Sequence, residues 1–139
     1  MSLFTWPARV YWEDTDAGGV VYYANYYRFL ERARAEWLRA RGWSQSALAL
    51  DPGVLFTVVE SQLKYLRPAR IDDLLAISCE PVIAGRVAID FRQRVWRDSE
   101  AGELLAEGRV RVVSVAAQNF RACRLPEFMV REIGAAEAS

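Results

Sequence analysis

The segment Glu13-Asp14-Thr15-Asp16-Ala17-Gly18-Gly19 gathers acidic side chains in a glycine-bearing turn, and Val20-Val21-Tyr22-Tyr23-Ala24-Asn25-Tyr26 follows it. In chemical terms this is a strand end, a carboxylate-bearing loop and the first turn of a helix. The glycines let backbone approach a ligand closely. The N–H groups at a helix start have no intrahelical acceptor, so they can polarise a carbonyl oxygen. A carboxylate just ahead of them can serve as nucleophile or general base. Together these groups suit attack on an acyl carbonyl.

Other uses of the same residues stay open on physics alone. The aspartates could simply cap the helix and oppose its dipole. Asp14-x-Asp16-x-x-Gly19 resembles the start of a calcium loop, but the twelfth position, which needs Glu, is Asn25. A phosphate loop would need GxxxxGK[ST] or GxGxxG, and neither occurs.

The chain has no histidine. That excludes Ser-His-Asp and Cys-His nucleophile systems, His-ligated zinc and a His general base. Cys79 and Cys123 are far apart, form no CxxC pair and sit among apolar neighbours; they read as buried small hydrophobes. No metal and no cofactor are expected. Lys plus Arg is 18 and Asp plus Glu is 18, a balance that argues against nucleic-acid binding. The N-terminus lacks a basic region followed by an apolar one, and no apolar run reaches the ~18 residues of a membrane span. A cytoplasmic location without membrane insertion is expected.

The elements that must position the loop follow from periodicity. The 139 residues, 53% of them hydrophobic, make one domain with a core of its own. Residues 5–13 alternate, with Val10 and Trp12 on one face and Arg9, Tyr11 and Glu13 on the other, which predicts a half-buried strand. Residues 22–41 turn helical: Tyr22, Tyr26, Phe29, Leu30, Ala33, Trp37 and Ala40 share a face, with Arg28, Arg32, Glu36 and Arg39 opposite. Asn25 is a suitable N-cap and Gly42 a suitable C′ residue. Residues 42–53 read as irregular or a short helical turn. Strands are predicted at 54–66, 74–83, 86–97 and 104–116, joined by turns at 84–85 and 98–102. Short connections imply antiparallel pairing. The expected fold class is therefore α+β, with one long helix wrapped by a five-stranded antiparallel sheet. The domain is expected to span residues 1–131, with a loosely ordered tail at 132–139. Long strands with free edges point to a homo-oligomer, a dimer or a tetramer. The five tryptophans read as core or interface packing.

Residues 11–36 resemble the signature of the 4-hydroxybenzoyl-CoA thioesterase family, and more narrowly the Tol–Pal-associated acyl-CoA thioesterases. The resemblance rests on Glu13 through Tyr22, on Asn25-Tyr26 and on Glu31-Arg32-Ala33-Arg34. Val59-Glu60, Tyr65 with Pro68-Ala69, Asp72-Asp73 and the strand ending at Val115 add to it. It implies the hotdog fold and hydrolysis of an acyl-CoA thioester to carboxylic acid and CoA. It implies Asp16 as the catalytic carboxylate, the Tyr23 backbone N–H as holder of the thioester oxygen, and Asp14 as a structural turn residue. Tyr23, Asn25 and Tyr26 would line the substrate site. Glu60 and Ser61 would reach it from a partner chain. Many members of the Tol–Pal branch carry His where this chain has Tyr23. A phenol with its ordinary pKa near 10 donates a hydrogen bond at neutral pH and is a poor base.

Arg67, Arg70, Arg121 and Arg124 are candidates for the phosphates of CoA, set against a plain solvated face. Two other functions compete. One is a non-catalytic hotdog module that binds acyl-CoA or acyl carrier protein. The other is a hotdog enoyl-CoA hydratase, whose Asp-His pair this chain cannot supply. A carboxylate ahead of a helix N-terminus favours the hydrolase.

Overall fold

A computed structural model describes residues 3–138, with side chains through residue 134. The helical period of residues 22–41 resolves into a 3₁₀ turn, Tyr23–Asn25, and helix α1, Tyr26–Ala40. Tyr26, Phe29, Leu30, Ala33, Trp37 and Leu38 are buried on one face of α1; Tyr22 and Ala40, expected beside them, are exposed. Gly42 ends the helix with φ +89. Its N–H donates to Arg39 O (2.9 Å) and that of Trp43 to Leu38 O (3.3 Å), the paired bonds of a Schellman motif. A short helix α2, Gln45–Leu50, follows, capped by the Ser44 hydroxyl accepting from Ala47 N–H (3.2 Å).

The strands are β1, Thr5–Arg9; β2, Val54–Tyr65; β3, Leu74–Ser78; β4, Glu80–Ile83; β5, Ala88–Arg97; and β6, Leu104–Ala116. They form one antiparallel sheet in the order β1-β3-β5-β6-β2, with β4 also paired to β5. The expected five strands are six because residues 74–83 break at Cys79. There, side chains replace ladder bonds: the Ser78 hydroxyl accepts from Arg94 N–H (2.8 Å), and Ser78 O accepts from the Gln93 carboxamide (3.2 Å). The expected strand 5–13 is also cut short. Val10 N–H donates to Asp73 O, and a 3₁₀ turn over Trp12–Asp14 leaves Trp12 81% exposed instead of packed beside Val10.

The sheet packs its inner face on α1. In β5, Ile89, Phe91, Gln93 and Val95 are buried while Arg92 and Arg94 are exposed. Trp37 meets Phe91 edge-on, with centroids 6.0 Å apart. Gln93 is fully buried, and its Nε2 donates to Leu30 O (2.9 Å), so the carboxamide fastens the sheet to the helix backbone. This is the wrapped-helix arrangement expected from the sequence.

The tail differs from expectation. Helix α3, Glu127–Ala138, covers most of the stretch expected to be loose, and Met129 and Ile133 are buried in the core. Phe128 stacks on Trp43 at 4.4 Å. Leu125, Met129 and Ile133, four residues apart, supply the apolar stripe that holds α3 down. Ser139 lies outside the described residues. Both cysteines are free. Cys79 is buried, which raises its thiol pKa, and Cys123 is half-buried. No helix is long and apolar enough to cross a membrane, and no cluster of three His, Cys, Asp or Glu forms a metal site, among the described residues.

Candidate active site

The acidic loop is pinned by Asp14. Its carboxylate is buried, and Oδ2 accepts from Tyr11 N–H (2.8 Å). Its carbonyl accepts from Tyr22 N–H (3.0 Å) and from Asn25 Nδ2 (2.9 Å). Asn25 stands at the N-cap position of α1 but makes no side-chain cap bond. It ties the helix start to the loop instead, which gives this expected binding residue a structural use.

Asp16 is turned the other way. It is exposed, and Oδ1 accepts from Gly18 N–H (2.8 Å). A Cβ on Gly18 would lie 3.2 Å from that oxygen, and Gly19 has φ +77. The pair of glycines thus lets the loop fold back on the carboxylate. Asp16 Oδ2 has no hydrogen-bond partner among the described residues.

Beyond the loop the helical start leaves donors free. Asn25 N–H donates to Tyr22 O (2.8 Å). The N–H groups of Tyr23 and Ala24 precede it and have no acceptor among the described residues. Tyr65 of β2 closes this region: its hydroxyl donates to Tyr23 O (3.1 Å). That carbonyl shares a peptide unit with the Ala24 N–H, so the bond polarises a free donor. Tyr65 packs on Tyr26 and Tyr23, with centroids at 5.3 and 6.3 Å, and Tyr22 lies on Tyr23 at 4.8 Å. Burial raises the phenol pKa values of Tyr26 and Tyr65, and the hydrogen bond with Tyr23 raises that of Tyr22. These three phenols are donors at neutral pH. Tyr26 is buried, and its hydroxyl accepts from Ala69 N–H (3.2 Å), so it builds the wall behind the site.

The structure separates Glu60 from Ser61. Residues directly opposite in an antiparallel pair share a face. Ser61 pairs with Val110, which is buried against α1, whereas Glu60 pairs with Arg111. A bulge between Val58 and Glu60 sets this phase. Glu60 accepts from Arg109 (3.1 Å) beside the Arg111–Asp90 pair on the outer face. Ser61 looks toward the helix, on a strand whose other edge has no partner among the described residues.

The candidate phosphate ligands scatter. Arg70 bridges to Val20, beside the acidic loop, and Arg67 pairs with Glu103 (3.7 Å). Arg121 and Arg124 flank the Ser114–Ala116 end of β6. That end lies roughly 30 Å along the strand from the Tyr65–Ala106 pair, at ~3.3 Å per residue. Tyr65 stands out in the sequence only as part of the family resemblance; its hydroxyl contact spans 42 residues, and no local pattern announces it.

The model of the thioesterase superfamily matches residues 18–104. The chain belongs to the thioesterase superfamily. It is 44% identical over 131 residues to the acyl-CoA thioester hydrolase YbgC of Escherichia coli O6:H1, covering 94% of this chain and 96% of that one. It is 37% identical over 124 residues to the acyl-CoA thioesterase YbgC of Haemophilus influenzae, covering 89% of each. Slr0204 of Synechocystis, a 1,4-dihydroxy-2-naphthoyl-CoA thioesterase, superposes with a TM-score of 0.87 over 98% of both chains at 22% identity; that likeness concerns the fold. The thioesterase match begins at Gly18, in the loop that carries Asp16.

Proposed function

We propose that this member of the thioesterase superfamily is an acyl-CoA thioester hydrolase in which Asp16 is the general base. One observation carries the reading: an exposed carboxylate, fixed through one oxygen by Gly18 N–H, stands in the loop ahead of the unpaired N–H groups of Tyr23 and Ala24. The substrate class is that of the YbgC relatives named above.

The free Oδ2 takes a proton from water as the water oxygen bonds to the thioester carbonyl carbon. The carbonyl oxygen becomes an oxyanion, stabilised by the Tyr23 N–H and the helix start. The intermediate then collapses, the C–S bond breaks, and the proton held by Asp16 passes to the departing sulfur of CoA. Carboxylic acid and CoA leave. Direct attack by Asp16 would instead form an anhydride on the enzyme.

The bare edge of β2 supports a homodimer joined there, with Ser61 facing the partner's site. Glu60, engaged by Arg109 on the outer face, is withdrawn from that role. Arg70 is the better placed of the four arginines for a CoA phosphate. A CoA-ester substrate supports a cytoplasmic location.

The test is thiol release from a panel of acyl-CoA esters by wild type and Asp16→Asn. Asn keeps an acceptor for Gly18 N–H, so the thermal midpoint and KM stay near wild type while kcat falls about 10²-fold or more. An Asp16→Asn enzyme with wild-type kcat defeats the assignment of the base, and a wild type that releases no thiol from any ester leaves a binding module as the better reading.

A further inference from the structure

Between α1 and the free-edge side of the sheet lies a cavity of about 200 Å³. Trp37, Phe56, Val58 and Phe91 give it apolar walls, and Arg34 and Glu31 bring charge. Arg34 has one hydrogen bond to another side chain, from Nη1 to Oε1 of the neutral Gln93 (3.0 Å). It makes no ion pair among the described residues. Burial dominates its surroundings strongly enough to lower its pKa, against the opposing influence of Cys79 and Glu31. A half-buried guanidinium whose neighbouring carboxylate, Glu31, forms no close ion pair with it is only partly compensated. It also retains donors that no described residue accepts.

The cavity lies farther along the same helix and strand that carry Tyr26 and Tyr65 of the proposed active site. Tyr65 of β2 touches Tyr23 and Tyr26, and Val58 and Phe56 follow back along the same strand. On the helix, Tyr23, Tyr27, Glu31 and Arg34 rise along one side at spacings of three and four. Arg34 is three turns beyond Tyr23, roughly 16 Å at 1.5 Å per residue. Helical side chains lean toward the N-terminus, so its guanidinium stands closer than its Cα. An acyl group whose carbonyl sits at Tyr23 N–H therefore runs between that helix and strand toward Arg34. At a water's share of ~30 Å³ per non-hydrogen atom, the cavity holds about seven such atoms.

We propose that this cavity takes the acyl arm of the substrate, and that Arg34 selects arms ending in a carboxylate: the CoA monothioesters of medium-length dicarboxylic acids. The inference rests on the thioesterase reading and deepens it. The distal carboxylate gives the guanidinium the close ion pair that it lacks among the described residues, through the paired geometry that Arg and carboxylate share. Glu31 stands exposed at the mouth of the cavity, where it is hydrated, and so opposes the bound carboxylate less than Arg34 attracts it.

The test compares adipyl-CoA, its monomethyl ester and hexanoyl-CoA as substrates. Wild type should show kcat/KM for adipyl-CoA about 10- to 100-fold above both neutral esters, the scale of one charge-assisted bond. Arg34→Met should lose that ratio, whatever its absolute rate on hexanoyl-CoA. Equal or better use of the methyl ester by wild type overturns the proposal, and needs no variant to fold. An unchanged ratio in a folded Arg34→Met overturns it too. Binding is read separately, as the thermal shift of Asp16→Asn with adipyl-CoA against the methyl ester. A larger shift with the free carboxylate supports the pocket even if Asp16 proves not to be the base. Equal shifts overturn the pocket even if Asp16 is.

Discussion

Asp14 and Asp16 have the same side chain, two residues apart, and the fold uses them in opposite ways. The first is buried and satisfies a backbone N–H; the second is exposed and keeps a free oxygen. Nothing in their own residue type or in the turn around them separates the two, and only the motif resemblance ranks Asp16 first. The difference lies in the chain to either side: the 3₁₀ turn over Trp12–Asp14 aims one carboxylate back at Tyr11, and the glycines fold the other outward. Asp14→Ala leaves Tyr11 N–H without its acceptor, so it should cost about 1–2 kcal/mol of stability. Urea unfolding measures that loss. Well below its new midpoint, the variant should keep far more of its kcat than Asp16→Asn, and an inactive but stable Asp14→Ala would reverse the two roles.

At the scale of elements, the sequence is most legible where one face is wet and the other dry. Strand β5 and helix α1 meet that condition, and Ile89, Phe91, Val95, Phe29, Ala33 and Trp37 are buried as their periods require. Periodicity fails where a side chain takes over a backbone bond. Ser78 and Gln93 interrupt the β3–β4 run. These are contacts between distant residues, and alternation cannot show them. Helix α3 escapes a reading by composition because its Ala and Glu content hides a stripe built on Met129 and Ile133. The outer face of the sheet yields a pH prediction. Arg111 donates to both oxygens of Asp90 (2.7 and 2.8 Å) and holds its carboxyl below the usual range. A depressed carboxylate pKa adds stability above the unfolded value of ~3.9, and that contribution is lost as pH falls through the folded value. Asp90→Asn should therefore lower the thermal midpoint at pH 7, and the gap to wild type should shrink as pH drops below about 4. A gap that stays constant into acid would assign the loss to packing.

The whole molecule is asymmetric about its sheet. One face is filled by α1, while the outer face carries Asp90, Arg109, Arg111 and Glu60 in linked ion pairs. One edge is the five-residue β1, and the other is the twelve-residue β2, where Val58 and Val59 are 50% and 56% exposed. A long edge with bare apolar side chains invites a second copy. Val59 is exposed and lines no described cavity, so it probes that edge. Val59→Lys should shift the species seen by light scattering from two or more chains toward one. Thiol-release activity should fall with it if Ser61 completes the partner's site. A fully active monomer would show that one chain carries the whole site.

The bulge at Val59 also bears on how the gene can change length. Val58 is set against Val112 and Glu60 against Arg111, so Val59 is surplus to the ladder. Loss of its codon would leave every other β2 side chain on its present side. Loss of a codon between 60 and 65 would turn the rest of the strand over, unless the surplus residue migrated to absorb the change. The strand therefore carries one unit of slack, next to the place where Ser61 and Tyr65 must keep their facing. A one-residue shortening is absorbed here without turning either of them over.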